Sequence, residues 1–422
     1  MKVLQVIPSL SLVHGGPSRA IRLIEQALLA RGIAVETATT DDDGPGRRMA
    51  FLVGEPRQEE LVGVAPLPRT DPLETLRPGG GYPTNSAMSL STSFKPIRHY
   101  FPKRLEFYKV SPGFAWWVFL HVRDYDIVHI HALFSFTSVA AAWAARWAGV
   151  PYVVRPLGTL NRYGVEQRRP WLKQLSLKLV EGPILRHAAA VHFTAKAERV
   201  EALSLRIPMR GVVIPLGIEP SQPHETSALL DRFPELKNVR SLLVLSRLDP
   251  KKNVEGMLRA FNLLTHEWPD LRLVIAGDGE ASYVVGLKEL AVELGLANRV
   301  VWLGHIEGEQ KAAAFAAAQV FVLPSFSENF GIAAAEALMA GLPCVLGKGV
   351  AIADEIAEAG AGIAVEPDPD SIAQGLKKLL SDNARWASMS GKAAALAREK
   401  YSVGAMGERL VRLYEEIVDR EP

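Results

Sequence analysis

Short apolar segments rich in β-branched residues alternate along the chain with longer segments in which apolar residues recur every three or four positions. The first pattern predicts β-strands and the second predicts amphipathic helices. The predicted strands are 2–8, 33–39, 126–131, 151–156, 189–194, 241–246, 271–277, 299–304, 319–324 and 343–347. Strands that alternate with helices form parallel sheets covered by helices on both faces. We therefore predict an α/β protein.

The predicted helices cover 17–31, 135–148, 252–266 and 282–295. The segment 212–227 begins as a strand and becomes Pro-rich and polar, which predicts a linker. Because it divides the chain into halves of similar size, we predict two doubly wound domains, 1–218 and 219–401, that face each other across a cleft. A last helical segment, 402–422, is predicted to pack back on the first domain.

Residues 41–95 interrupt this alternation, because turn-forming residues dominate there and the periodicity is weak. A long loop in a compact domain is usually either functional or disordered. The sequence leaves both interpretations open.

The composition is ordinary for a soluble globular enzyme, with 48% apolar and 22% charged residues among 422. The single cysteine, Cys344, cannot form an intrachain disulfide and suggests a reducing compartment. No apolar run reaches the ~18 residues that span a bilayer, and the first ten residues are interpreted as a strand and not as a signal peptide. We therefore expect a cytoplasmic protein.

The net charge of +2 conceals an asymmetry between the two halves of the chain. Residues 1–218 carry 27 basic and 17 acidic side chains, whereas the remaining residues carry 21 and 29. Such a division suggests that the first half faces something anionic. Chance variation in surface charge is the alternative.

The stretch SENFGIAAAEALMAG places Glu328 in a polar loop and Glu336 inside an Ala-rich helix. The end of a strand followed by the start of a helix forms the rim of an open α/β sheet, where ligands bind. The amides of Asn329, Phe330 and Gly331 would favour an anionic or oxygen-rich ligand at the helix start. Alternatively, Glu328 is a surface loop residue and Glu336 caps a neighbouring loop. A buried carboxylate needs a partner in either case.

A pair of cations follows another predicted strand, in the stretch SRLDPKKN. Arg247 lies directly after the strand and Lys252 opens the next helix. Two cations at a strand end suit a diphosphate, because arginine offers a bidentate fork and lysine a point charge. A solvated basic loop is the alternative.

Two further segments follow predicted strands of the first half. In SLVHGGPSRA, Gly15 and Gly16 would let the backbone approach a ligand closely, although a plain tight turn is an alternative. The segment lacks the G-x-G-x-x-G pattern of dinucleotide-binding proteins. In HIHALF, His131 ends a strand and shares its face with His129, and a histidine in a strand is more often a core residue than a catalytic one. No acidic residue or cysteine has the spacing of a metal site here.

Several of these segments resemble, in order, the motifs of glycosyltransferase family 4. The matching segments are HGGPSRA, SRLDPKKN, VIAGDGE, VVWLGHI, SENFGIAAAEALMAG with its E-x7-E spacing, and GAGIAVEPDPDSIAQGL. The resemblance covers nearly the whole chain except 41–95, and the ordered set is far more specific than any single motif. It implies the GT-B fold, with two Rossmann-like domains facing across a cleft, and a retaining glycosyl transfer.

The resemblance also implies roles for individual residues in the second half. Arg247 and Lys252 would neutralise the donor diphosphate as the nucleotide leaves. Glu336 would hold the ribose hydroxyls, so that its partner would be the ligand. Glu328 would contact hydroxyls of the transferred sugar, assisted by the amides from Asn329 through Phe330 to Gly331.

Other implied roles lie at the reaction centre and around the nucleobase. Gly15 and Gly16 would give the donor and the acceptor room, and His131 would lie beside the sugar. The nucleobase would meet the backbone near Leu303 and His305. Relatives of this kind generally need no metal, because cationic side chains and helix dipoles stabilise the leaving group. No cofactor is implied.

Two positions depart from the family pattern and affect which substrates we expect. Leu157 stands where many relatives carry His, and Leu216 stands where Asn is common. The favoured interpretation is a retaining hexosyltransferase that uses a UDP-sugar, such as UDP-glucose, to build a surface polysaccharide or glycolipid. The alternatives are a nucleotide-sugar isomerase or hydrolase and a non-catalytic sugar-nucleotide binding module. No nucleic-acid partner is expected.

A basic and aromatic segment in the first half suggests an anionic membrane surface as a further partner. The residues concerned are Lys103, Arg104, Lys109, Trp116, Trp117 and Phe119. The expected location is then peripheral, at the inner face of the membrane, where the enzyme would meet a lipid-linked acceptor. Alternatively, the aromatic residues belong to the core and the basic residues form a solvated face.

Overall fold

The structure is a computed structural model that describes residues 1–11, 15–44, 46–49, 57–58, 96–160, 174–220 and 226–420. Most of the predicted loop 41–95 and part of the predicted linker, 221–225, lie outside the described residues.

The strands are found close to where the apolar segments predict them. They are β1 (Lys2–Ser9), β2 (Ala34–Thr40), β3 (Arg57–Gln58), β4 (Ile97–Phe101), β5 (Ile127–His131), β6 (Tyr152–Arg155), β7 (Ala190–Phe193), β8 (Gly211–Val213), β9 (Arg240–Leu245), β10 (Leu271–Ala276), β11 (Val300–Gly304), β12 (Val320–Leu323), β13 (Cys344–Gly347) and β14 (Gly362–Val365). Among these, the periodicity did not predict β3, β4 or β14. β4 reads IRHYF, and its polar residues hide the strand pattern.

The helices cover the faces of the sheets. They are α1 (Gly16–Leu29), α2 (Pro112–His121), α3 (Phe136–Ala148), α4 (Gly182–His187), α5 (Lys196–Leu203), α6 (Ser227–Arg232), α7 (Val254–Asn262), α8 (Ala281–Glu293), α9 (Gly308–Ala317), α10 (Ile332–Met339), α11 (Ala353–Glu358), α12 (Pro369–Leu380), α13 (Asn383–Lys400) and α14 (Val403–Val418). The predicted helix 252–266 begins later, because Asn253 has a left-handed backbone conformation (φ 56°) that separates a short turn from α7.

The described strands form two sheets. The order in the first is β3-β4-β2-β1-β5-β6-β7-β8, and the order in the second is β11-β10-β9-β12-β13-β14. Every neighbouring pair of the second sheet is parallel, and in the first sheet β3 runs antiparallel to β4. In each sheet the order reverses beside a central strand, between β1 and β5 and between β9 and β12. Ligands of open α/β sheets bind at such reversals.

The chain divides into two compact units, Met1–Val153 with Leu410–Pro422, and Val154–Arg409. The first unit buries the central strands β1 and β5, whose Val3, Leu4 and Ile127 are fully buried. The core of the second unit is built around β9, β10 and α7, with Phe261 completely enclosed. None of the described helices is both long and apolar enough to cross a membrane.

Candidate functional site

Two loops of the second unit meet where its strand order reverses. One loop, 246–253, follows β9, and the other, 324–331, follows β12. The backbone amide of Phe326 donates to the carbonyl of Lys251 over 2.9 Å. The two segments that the sequence singled out separately therefore form one site, because neighbouring parallel strands end at the same edge of the sheet.

Asn253 fixes the first loop against its neighbours. Its side-chain amide donates to the carbonyls of Pro324 (3.1 Å) and Pro367 (2.8 Å), and the residue is buried. Its left-handed backbone ends the short turn Pro250–Lys252. Sequence reasoning missed this residue, because an asparagine after two lysines looks like ordinary loop composition. Its contacts therefore anchor the backbone directly after Lys252.

Lys252 and Glu328 form an ion pair between the two loops, and both side chains are partly exposed. The backbone of Glu328 is held on both sides, because its amide donates to Gly349 (2.9 Å) and its carbonyl accepts from Ala351 (3.1 Å). A Cβ on Gly349 would lie 2.1 Å from the Phe326 carbonyl oxygen, so only glycine allows this approach. The Glu328 carboxylate therefore lies beside the Lys252 ammonium group, on a backbone that hydrogen bonds hold in place.

The residues after Glu328 form a tight entry into α10. Gly331 has a left-handed conformation (φ 91°), and a Cβ there would lie 2.8 Å from Val350. Phe330 is buried edge-to-face against Tyr401, with ring centroids 5.7 Å apart. Asn329 is exposed and donates from its side chain to the carbonyl of Leu157 over 3.3 Å. Of Asn329, Phe330 and Gly331, Phe330 is the residue whose side chain packs into the interior.

Glu336 has a protein partner in this structure. Its carboxylate accepts from Lys311 of α9 over 2.7 Å, and both side chains are mostly buried. Pairing offsets the cost of placing a carboxylate inside a packed helix. No local pattern pointed to Lys311, because it lies 25 residues from Glu336 in a helix of ordinary composition.

The remaining predicted donor residues differ in exposure. Arg247 is exposed and forms no ion pair with any described carboxylate. Leu303 is buried, whereas His305 is exposed and lies 4.0 Å from Asp278 and 3.9 Å from Glu307. Gly277 permits the approach of the loop that carries Arg247, since a Cβ there would lie 1.8 Å from the carbonyl oxygen of Ser246.

The first unit also brings two predicted segments to a reversal of strand order, those after β1 and β5. Gly15 has a positive φ of 69° and is exposed, and Gly16 begins α1; residues 12–14 lie outside the described part. His131 is fully buried, with its Nε2 2.5 Å from Gln5 Oε1. Its predicted contact with a sugar stays a prediction, since the side chain is packed in the sheet.

His129 is equally buried and has a structural role. Its Nδ1 lies 2.6 Å from the Tyr414 hydroxyl, and its ring contacts that of His131 in a tilted arrangement with centroids 4.1 Å apart. The loop after His131 is strained, because Ala132 and Phe134 both have positive φ angles. Such strain in non-glycine residues clusters at functional sites, and periodicity cannot reveal it.

Glu198 orders the loop that contains Leu157. Its carboxylate accepts from the amide of Gly158 (3.0 Å) and from the amide of Thr194 (2.7 Å). Leu157 has a positive φ of 56°, so the position that departs from the family pattern is also strained. The sequence did not point to Glu198, which reads as an ordinary helix residue.

His192, in strand β7, is a buried structural residue. Burial and the nearby positive charge of Arg155 lower its pKa to about 3, so the ring is neutral at physiological pH. Its Nε2 donates to the carbonyl of Ile214 over 2.8 Å. No cluster of three metal-ligating side chains occurs in the described part of the chain.

The predicted basic surface at 103–109 has a different structure from the one expected. Lys103 is buried, and both Lys103 and Lys109 form ion pairs with the buried Asp42. Lys103 also pairs with Glu106 over 2.7 Å. Of the three basic residues in this segment, Arg104 is the exposed one. The two lysines are therefore neutralised by partners within the protein.

Two family descriptions match successive parts of the chain. Residues 15–217 match the glycosyl transferase 4-like domain, and residues 230–396 match the glycosyl transferases group 1. Among known proteins, the chain is 34% identical to an uncharacterized glycosyltransferase of Methanocaldococcus jannaschii over 176 residues, 42% of this chain and 44% of that one. The chain therefore matches under half the length of that relative.

A second relative matches over a longer range. A D-inositol 3-phosphate glycosyltransferase of Thermobispora bispora is 28% identical over 324 residues, 70% of this chain and 72% of that one. The solved structure of Anabaena HepE in complex with UDP and glucose superposes with a TM-score of 0.70 at 20% identity, covering 99% of this chain and 100% of that one. With the two parallel sheets, this likeness confirms the predicted two-domain GT-B fold.

Proposed function

Because the chain belongs to the group 1 glycosyltransferases, with a family 4-like segment in its first half, we propose that it transfers a hexose from a nucleotide-sugar to a glycan or lipid-linked acceptor. The observation that carries this proposal is the meeting of the 246–253 and 324–331 loops. It puts Lys252 and Glu328 in contact at the reversal of strand order.

In the proposed reaction, the bond between the sugar anomeric carbon and the diphosphate oxygen breaks, and an acceptor hydroxyl forms the new bond. The hydroxyl proton is lost and the nucleoside diphosphate leaves with the electron pair. Lys252 and the exposed Arg247 stabilise the charge that develops on that diphosphate. A protein cation at this place performs the task of a metal ion, which supports metal-independent transfer.

Glu328 has a proposed role that depends on its present partner. A diphosphate that binds Lys252 competes with the Glu328 carboxylate for the same ammonium group. The carboxylate, whose backbone is fixed by Gly349 and Ala351, then becomes available to hydroxyls of the transferred sugar. The proposal is that donor binding exchanges one charge partner of Lys252 for another.

Glu336 is proposed to hold the ribose. A carboxylate has two oxygens and about four acceptor positions, so an ion pair with Lys311 is compatible with hydrogen bonds from two ribose hydroxyls. The nucleobase would then lie near the backbone of Leu303 and His305. The amide ends of α10, at Gly331, add a favourable dipole for the donor phosphates.

The donor is proposed to be a UDP-sugar, with UDP-glucose favoured, and transfer is proposed to retain the anomeric configuration. The crystallised Anabaena protein holds UDP and glucose, which supports this choice of donor. The family descriptions change between residues 217 and 230, which supports an acceptor domain at 1–218 and a donor domain at 219–401. The product is proposed to be a surface polysaccharide or glycolipid, made in the cytoplasm at the membrane.

The experiment that tests this function is a screen of UDP-, GDP- and ADP-sugars, each with and without a lipid extract as acceptor source, in the presence and absence of excess EDTA. The expected result is acceptor-dependent release of UDP that EDTA does not diminish. Rearrangement or hydrolysis of the donor at the same rate without acceptor would favour the isomerase or hydrolase. Binding of nucleotide without any turnover across the screen would favour a binding module.

A further inference from the structure

The outward faces of α2 and α3 form an exposed apolar surface in the first unit. Its side chains retain large exposed fractions: Trp116 71%, Phe119 38%, Leu120 58%, Trp143 53% and Trp147 66%. The two helices pack against each other, and the rings of Phe119 and Trp147 lie 6.2 Å apart. We call these five residues the aromatic face. An exposed apolar patch of this kind marks an interaction site.

The residues of the aromatic face differ from those through which α2 and α3 pack into the core. Phe114 and Val118 of α2 are buried, and so are Ala141 and Ala144 of α3. A helix that is apolar on its outer as well as its inner side is buried or inserted into an apolar phase. These core contacts of the described residues do not involve the five side chains of the aromatic face.

The charged side chains on and directly beside α2 and α3 are basic, with the exception of the exposed Asp124. Neither α2 nor α3 contains an Asp or a Glu, and Arg146 is exposed between the two tryptophans of α3. The guanidinium of Arg123 lies 4.9 Å from the centre of the Trp147 ring. The nearest carboxylates along the chain, Asp124 and Asp126, follow α2, and Asp126 accepts from the amide of Lys2 over 2.6 Å.

Tryptophan with arginine is the combination that suits the boundary between lipid headgroups and acyl chains. The indole ring is apolar in its body and carries an N–H that can donate to headgroup oxygens, so tryptophan concentrates at that depth. Arginine complements anionic headgroups. Three of the eight tryptophans of the chain belong to the aromatic face.

We propose that the aromatic face inserts into the interfacial region of an anionic lipid bilayer. This inference rests on the proposed function with a lipid-linked acceptor. Membrane insertion would keep the first unit at the surface that presents such a substrate. The proposal replaces the attraction predicted for Lys103 and Lys109 by apolar insertion, because Asp42 and Glu106 pair with these lysines within the protein. Arg123 and Arg146 then contribute the preference for anionic lipids.

The test is co-sedimentation of the full chain with vesicles of phosphatidylcholine alone and with phosphatidylglycerol added. The variant Trp143→Ser/Trp147→Ser should bind about 100-fold more weakly, at roughly tenfold for each tryptophan removed from lipid. The matched control Val285→Ser/Val292→Ser removes two exposed apolar side chains from α8 of the other unit and should bind like the wild type. Arg123→Gln/Arg146→Gln should lose the preference for phosphatidylglycerol.

A second measurement separates insertion from other contacts. Brominated acyl chains should quench the tryptophan fluorescence of the wild type and quench the double tryptophan variant much less. A wild type that ignores both vesicles at low salt would overturn the proposal. So would a concentration-dependent dimer that the tryptophan variant abolishes while vesicle binding is unchanged, since the occupant would then be a second copy.

The readout for the donor site keeps this test independent of the proposed function. All variants should bind UDP with wild-type affinity, measured by calorimetry. Vesicle binding without sugar transfer would support membrane insertion of the aromatic face and contradict the proposed function. Sugar transfer without vesicle binding would support the proposed function and contradict membrane insertion of the aromatic face.

Discussion

Lys103 and Lys252 each follow a strand and each form an ion pair with a carboxylate, yet the two pairs differ in their surroundings. The side chains of Lys103 and Asp42 are 3% and 1% exposed, whereas those of Lys252 and Glu328 are 14% and 22% exposed. Asp42 also binds Lys109, and Lys103 also binds Glu106. The first pair is enclosed by further protein partners, and the second is accessible to a ligand.

We infer from this difference that the enclosed pair stabilises the fold, whereas the accessible pair is the one proposed to take part in the chemistry. Burial alone would raise the pKa of Asp42, but hydrogen bonds from Lys103 and Lys109 outweigh it and hold the pKa below its ordinary value. An enclosed pair of this kind cannot exchange partners without exposing an uncompensated charge. A partly exposed pair at a strand-order reversal can exchange partners, because solvent or a phosphate can replace the lost contact.

The largest expected effect comes from breaking the enclosed pair. Asp42→Asn leaves Lys103 buried without its main countercharge and should lower the free energy of unfolding by about 3–5 kcal/mol. Urea denaturation followed by circular dichroism measures this change. The exposed Asp124→Asn serves as control and should shift stability by less than ~0.5 kcal/mol. An Asp42 variant as stable as the wild type would remove the distinction between the two pairs.

Breaking the accessible pair should affect catalysis and leave stability nearly unchanged. Lys252→Ala should reduce sugar transfer by roughly 10²-fold or more, since one lost charge stabiliser costs ~3 kcal/mol in the transition state. Steady-state kinetics with the donor from the screen provides the measurement. Lys378→Ala, an exposed lysine at the end of α12, should turn over normally. Near-normal turnover of Lys252→Ala would exclude its role at the diphosphate.

Glu336 tests an intermediate case, since it is paired like Asp42 but lies beside the proposed donor site. Glu336→Ala should weaken binding of free UDP or GDP by about tenfold, the equivalent of one charged hydrogen bond at ~1.5 kcal/mol. Isothermal calorimetry measures the affinity, and Glu309→Ala on α9 is the control. Unchanged affinity for both nucleotides would leave Glu336 with Lys311 as its functional partner and rule out the ribose assignment.

The smallest expected effect concerns pH and the first unit. Burial would raise the pKa of Glu36, but hydrogen bonds from His99, Lys2 and Tyr125 lower it from 4.5 to about 2. A lowered carboxylate pKa contributes stability that is present above pH 4.5 and is lost as the pH falls towards 2. Glu36→Gln should flatten the stability profile over this window by about 1 kcal/mol, since melts down to pH 3 sample only part of the interval between the two pKa values. Thermal melts from pH 7 to pH 3 check the slope.

The two sheets and the order of the donor loops were predictable to a large extent. Continuous apolar segments such as 241–246 and 319–324 coincide with β9 and β12, since a strand buried on both faces has to be apolar throughout. β4 escaped prediction because the polar Arg98 and His99 lie within it. That arginine is buried and pairs with Glu25 over 2.6 Å, a contact between residues 73 positions apart that no local pattern contains.

The sequence by itself determined the fold class, the family, the positions of Lys252 and Glu328 in loops that follow strands, and the position of Glu336 in a helix, because hydrophobic periodicity and ordered motifs are properties of the linear chain. Only the tertiary structure decided which charges are enclosed and which are accessible. Asp42 neutralises Lys103, and Lys311 pairs with Glu336, through contacts between segments far apart in the chain. Exposure depends on what packs around a side chain, so Trp143 and Trp147 reveal their outward position only when α3 is placed on the sheet.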